Sequence, residues 1–168
     1  MYESLNEIHN CKVNWRKIIT KIYQEFKGHI TRIDIAIDFI NYGLSVNNIH
    51  VDLCNKKTML VNKLNAKIKE DRIEYIGSNN EVETIYIGSR RSDAFLRIYN
   101  KKKEQSDKNG PYRELANRCD DWIRIEGEFK HRLARQIGAM IYTLNTDCIE
   151  PYLANYIMDH WKLVKYDD

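Results

Sequence analysis

Residues 31–39 of this chain read Thr-Arg-Ile-Asp-Ile-Ala-Ile-Asp-Phe, and the alternation is strict. Ile33, Ile35, Ile37 and Phe39 fall on one parity; Arg32, Asp34, Ala36 and Asp38 fall on the other. A period of two is the side-chain period of an extended strand, so one face is apolar and its reverse largely ionisable. A helix would scatter both sets around its axis. The pattern returns in Ala94-Phe-Leu-Arg-Ile-Tyr99, where Leu96 and Ile98 oppose Arg97, Tyr99 and, one step on, Lys101. It returns again in 122–129, where Ile123, Ile125 and Phe129 oppose Arg124, Glu126 and Glu128. Strands of this kind, each apolar on one side only, predict an antiparallel sheet with one covered face.

The rest of the chain supplies the cover. Leu5, Ile8, Trp15, Ile18, Ile19, Ile22, Tyr23 and Phe26 recur at helical spacing, predicting a helix broken near Cys11 and stopped by Gly28. Ser45 is placed to cap a short helix carrying Val46, Ile49 and Leu53. Across 57–77, the spacing of Leu60, Leu64 and Ile68 favours a helix, followed by a strand from Arg72 to Ile76. Glu83–Ile87 and Ala94–Tyr99 read as a hairpin joined through Gly88–Asp93. Residues 101–112 read as a polar loop, and 131–145 and 150–166 as two closing helices. The sum is an α+β fold: an antiparallel sheet of about four or five strands with helices packed on one face, RRM-like or palm-like.

At 168 residues the chain suits a single domain, 1–168. A hydrophobic fraction of 43% with 11% aromatic residues excludes a disordered chain, and Lys plus Arg exceeds Asp plus Glu by only 27 − 24 = 3. That mild basic excess permits a nucleic-acid partner without demanding one. No run nears the roughly 18 apolar residues of a membrane span, and the first residues lack a signal-peptide pattern, so a cytoplasmic, membrane-free protein is expected. The four cysteines have no CxxC spacing and are expected as reduced, mostly buried thiols. The five histidines form neither HxH nor HExxH, which gives a histidine-built metal site little support.

The sorted faces carry the chemistry. Asp34, Asp38, Glu126 and Glu128, with Arg32, Arg97, Arg124, Lys101 and Tyr99, fall on the polar parity of three strands. Clustered carboxylates repel unless a cation or protons neutralise them, and hard oxygen ligands suit Mg²⁺ or Mn²⁺. Arginines beside them suit a phosphate diester, which a guanidinium grips through two hydrogen bonds. The bland alternative stays open at this point: Asp34 and Asp38 could form cross-strand ion pairs with Arg97 and Arg124 on a wet face, each contributing under about 1 kcal/mol.

Four segments occur in order: Thr31-Arg-Ile-Asp-Ile-Ala-Ile-Asp38, Tyr86-Ile-Gly-Ser-Arg90, Arg97-Ile-Tyr-Asn-Lys-Lys102 with Glu104, and Trp122-Ile-Arg-Ile-Glu126. Together they resemble the replication initiation factor family, which includes rolling-circle initiators of staphylococcal plasmids and related conjugative-element relaxases. The resemblance spans about residues 30–145. It implies a DNA strand transferase that nicks and rejoins one strand through a 5′-phosphotyrosine intermediate. Tyr99 would be the nucleophile, assisted by Arg97 and Lys101. A divalent ion, Mg²⁺ or Mn²⁺, would sit on Asp34, Asp38, Glu126 and Glu128. Arg90, Arg91, Lys102, Lys103 and Arg124 would hold DNA at a single-stranded or extruded nick site in an origin. A host helicase and a homodimer are the further partners this reading admits. The family pattern carries more chain on both sides, so the expectation is a truncated catalytic core. Two other readings stand beside it: a non-catalytic single-strand binder that stacks bases on Tyr86 and Tyr99, and a metal-dependent nuclease that uses water.

Overall fold

The structure, a computed structural model, describes residues 14–108 and 110–166. The expected helix over Leu5 and Ile8, with its break at Cys11, lies outside the described residues. Its continuation is α1 (Trp15–Gln24), which starts where the Asn14 side chain accepts a hydrogen bond from the Lys17 N–H at 2.9 Å.

Five antiparallel strands form the main sheet, in spatial order β1 (Arg32–Ile40), β6 (Trp122–Lys130), β5 (Ala94–Asn100), β4 (Glu81–Ile87) and β3 (Ile73–Ser78). β3, β4 and β5 are a meander. The chain then leaves the sheet and returns as β6 between β5 and β1, so all three alternating segments become neighbours. The apolar parity is the core face, as the period of two requires. Ile35, Ile85, Ile87, Leu96, Ile98, Ile123 and Phe129 are buried there against Ile19 of α1, Val46 of α2 (Val46–Cys54), Ile137 and Ile141 of α5 (His131–Thr143), and Ile149 and Ile157 of α6 (Thr146–His160). The α+β class is thus observed, with α1, α2, α5 and α6 packed on one face of the antiparallel sheet.

Four local expectations are corrected. Leu60, Leu64 and Ile68 are not a helical stripe. Thr58–Asn62 is strand β2, a turn follows in which the Asn62 side chain accepts from the Leu64 and Ala66 N–H groups, and the Ile68 N–H returns to the Leu60 carbonyl at 2.8 Å. The turn mimics helical spacing, and Leu64 is 78% exposed at its tip. The last helix stops at His160, and Trp161–Lys165 is β7, paired antiparallel with β2 in a separate two-stranded sheet. The polar stretch after β5 is not a loop but α3 (Lys101–Asp107) followed by α4 (Arg113–Arg118). Its helical period was hidden because the residues it buries at i and i+4 are Lys101 and Gln105, not apolar ones. Among the thiols, Cys119 is buried while Cys54 and Cys148 are exposed, against the expectation of mostly buried cysteines.

Candidate active site

The opposite face of the sheet carries the site, and strand register fixes its layout in three rows. One row runs Asp38, Arg124, Tyr99, Thr84; the next runs Ala36, Glu126, Arg97, Tyr86; the third sets Asp34 beside Glu128 and Phe95. Every site residue expected on the three strands is therefore on one surface. The Asn100 side chain caps α3 by accepting from the Lys103 N–H at 2.9 Å. This turns the chain sharply after Tyr99 and sets Lys101 under the site instead of along the strand. The helices α3 and α4 close this end of the face: Ala116, Cys119 and Trp122 form a small second cluster with Ile40 packed against it.

Tyr99 is the centre of the arrangement. It is 5% exposed, its hydroxyl donates to a Glu126 carboxylate oxygen at 3.3 Å, and the Arg97 guanidinium lies 4.1 Å from its ring centroid. The Lys101 ammonium lies 5.7 Å from the same ring and pairs with Glu104. Burial, then the negative charge of Glu126, pushes the Tyr99 hydroxyl up to about 12, against the opposing pull of Arg97. Arg97 donates to both Glu126 oxygens at 3.0 and 3.1 Å. In the next row Arg124 makes two hydrogen bonds of 2.7 Å to Asp38, and the Trp122 indole N–H donates to the same carboxylate at 2.7 Å. Burial alone would raise the Asp38 carboxyl, but the hydrogen bonds from Arg124 and Trp122 outweigh it and hold Asp38 below its ordinary value.

The four expected metal ligands share the face without forming a cation site. Both oxygens of each are engaged: Asp34 by Arg32, Asp38 by Arg124 and Trp122, Glu126 by Arg97 and Tyr99, Glu128 by Arg32 at 2.5 Å and Lys130 at 2.6 Å. Among the described residues no three His, Cys, Asp or Glu side chains gather as a group that could hold an ion. The donor set as placed does not fit a metal.

The expected DNA-binding cations divide. Arg90 and Arg91 are exposed in the β4–β5 turn, with the Arg90 guanidinium 5.7 Å from the Tyr86 ring centroid and 5.3 Å from that of Phe95. Lys102 is spent on the Cys119 and Asp120 carbonyls at 2.8 and 3.1 Å, and Lys103 on Glu83 at 2.5 Å. Sequence reasoning missed Trp122 and Asn100, one bracing Asp38 and the other placing Lys101; only a cap residue directly after a strand signalled the second.

The profile of the family described as "Replication initiation factor" matches residues 28–168. The chain belongs to that family. Among its family-like relatives, a replication initiation protein of Staphylococcus aureus is 36% identical over 102 residues, 61% of this chain and 27% of that protein. A putative DNA relaxase, NicK, of Bacillus subtilis (strain 168) is 28% identical over 148 residues, 80% of this chain and 40% of that protein. The chain thus spans well under half of the curated relatives it matches. A rolling-circle replication initiator protein from Geobacillus stearothermophilus has the same fold, with a TM-score of 0.58 and 17% identity over 89% of this chain and 52% of that one. Among the described residues, no helix is long and apolar enough to cross a membrane.

Proposed function

We propose that residues 1–168 hold the strand-nicking core of a rolling-circle initiator or relaxase, with Tyr99 as nucleophile. The observation that carries this reading is Tyr99 itself, set between Arg97 and Arg124 on a charged sheet face, its hydroxyl on a carboxylate. Family membership and the two relatives, a replication initiation protein and a putative DNA relaxase, support DNA as the substrate.

The chemistry follows from the rows. A phosphodiester reaching the face competes with Glu126 for Arg97 and with Asp38 for Arg124, and guanidinium forks match its non-bridging oxygens. Arg97, drawn to the phosphate, uncovers the Tyr99 ring. The Tyr99 proton passes to the Glu126 oxygen it already faces, and the phenolate attacks phosphorus. The 3′-oxygen departs with the bonding electrons and takes a proton from water. The products are a 5′-phosphotyrosine and a free 3′-hydroxyl, whose return attack reseals the strand. Lys101, held beneath the ring by Glu104, adds positive charge where the negative charge develops.

A divalent ion, expected from the family resemblance, is not part of this proposal, because the four carboxylates that would hold it are already paired, and no step above passes through it.

The test is covalent capture. Incubation with single-stranded oligonucleotides drawn from candidate origins should yield a protein–DNA adduct that survives a denaturing gel. Tyr99→Phe should remove the adduct and keep binding within about twofold. A Tyr99→Phe protein that still nicked would refute the assignment. One observation favours the second reading, a binding-only face: Tyr99 is nearly covered and its neighbours are fully paired. Binding without cleavage by the wild-type protein would select that reading.

A further inference from the structure

We propose that Tyr86 and Arg90 form a nucleobase-stacking subsite beside the nicking centre, with Phe95 as its floor. The inference rests on the reading of single-stranded DNA as substrate, but not on strand cleavage.

Tyr86 stands on the charged face, in register with Arg97 on β5. Its surroundings differ from those of a core tyrosine. The Phe95 ring lies 5.5 Å away at 34°, and the Arg90 guanidinium lies against both rings instead of a helix. The turn that delivers Arg90 is built firmly. Gly88 adopts φ +89°, the Arg91 N–H donates to the Ser89 hydroxyl at 3.2 Å, and the Ser92 hydroxyl donates to the Ser89 and Ala94 carbonyls at 2.5 and 2.7 Å. Lys130 reaches from β6 to hold the Arg90 carbonyl at 2.5 Å. A turn held in this way keeps the Arg90 backbone beside the two rings its guanidinium covers.

Two guanidinium–ring pairs thus lie on the face, Arg97 over Tyr99 and Arg90 over Tyr86, and register sets Tyr86 opposite Arg97. Register puts Tyr86 diagonal to Tyr99, a separation of ~7–8 Å between such positions. A strand whose scissile phosphate sits at Arg97 and Arg124 has its adjoining base within reach of Tyr86. Flat guanidinium and phenol surfaces suit bases of any identity, because every base offers a π-face. The site therefore selects unpaired nucleotides over duplex without reading sequence. A duplex keeps its bases stacked inside and has none to offer.

The alternative is that Arg90 only shields two rings and that its charge attracts the backbone. Probes of equal charge separate the two. Binding of the 168-residue protein is measured to oligothymidylate and to an abasic deoxyribose-phosphate oligomer of the same length. For oligothymidylate, Tyr86→Leu should weaken binding about fivefold or more, given ~1–3 kcal/mol per stacked base. For the abasic oligomer, Tyr86→Leu and wild type should bind alike. Tyr86→Phe should keep full affinity for both. Arg90→Lys, which retains charge and loses the plane, should weaken oligothymidylate binding more than abasic binding. Equal losses on both probes, or none on either, overturn the subsite. If wild type binds neither probe, the DNA reading falls and the subsite with it. If the probe difference is seen but no adduct ever forms, the subsite stands and only nicking fails.

Discussion

Raising the pH from 10 to 12 should destabilise this fold, and Tyr99 should make a contribution that can be isolated from those of Tyr75, Tyr152 and Tyr156. Tyr99 ionises at about 12 in the folded chain, against 10.0 for an ordinary tyrosine. Below pH 10 both folded and unfolded states keep the proton and nothing is lost. Between 10 and 12 the unfolded chain releases its proton and the folded one does not, so stability falls. Two units at 1.36 kcal/mol each set a ceiling of about 3 kcal/mol, of which about 2 kcal/mol is lost between pH 10 and pH 12, where the folded residue is itself half ionised. Denaturant unfolding of wild type and Tyr99→Phe, followed across this range, isolates the effect from the other tyrosines. The wild-type curve should lose about 2 kcal/mol more than the variant's. The tyrosinate absorbance missing from the variant should titrate above the remainder. Glu126→Gln should lower that titration without returning it to 10, because burial is the larger cause. A constant gap between wild type and Tyr99→Phe from pH 10 to 12 would refute the account. The same covering bears on the proposed chemistry: at pH 7 only about one Tyr99 in 10⁵ is spontaneously ionised, so the proposed attack would need the proton acceptor and cations around it.

Asp38→Ala leaves Arg124 half-buried without its carboxylate and should cost about 1–3 kcal/mol in urea unfolding at neutral pH. Because Asp38 titrates below its ordinary 3.8, its contribution is present above about pH 4 and lost as the pH falls further; Asp38→Asn should flatten that acid loss. Gly127 faces the core between Ile35 and Leu96, and a Cβ there would stand 2.9 Å from the Phe129 ring. Gly127→Ala should therefore lower stability by about 1–3 kcal/mol, read as a shifted urea midpoint with unchanged slope. Calorimetric titration with MnCl₂ should show no binding by the free protein if the ion pairs hold as arranged; saturable binding abolished by Glu126→Gln would restore the metal assignment.

How much of this was legible beforehand depended on where the signal lay. The three alternating segments announced both the sheet and its charged reverse, because a strand's period is local and survives any packing. Tyr99, Arg97, Glu126, Arg124 and Asp38 could be sorted to one face from parity alone. Their row order could not: it needed β6 to pass between β1 and β5, and strand order is a property of the whole chain. Nor could parity say which charges would pair. Four carboxylates on one face read equally as a metal site or as partners of nearby cations, and only side-chain distances show each one engaged by a guanidinium, ammonium, indole or hydroxyl group.

The misread segments share a cause. Leu60, Leu64 and Ile68 matched a helix because a strand followed by a tight turn reproduces a four-residue spacing. The α3 helix was invisible because its buried residues are Lys101 and Gln105, stabilised by partners such as Glu104 that come close only once the helix exists. Trp161–Lys165 became a strand because β2 offered it an edge. Local periodicity set the composition of each face. Which edges met, which charges found partners and how deeply Tyr99 was covered were decided by tertiary contacts, since hydrogen-bond partners and desolvation depend on residues distant in the chain.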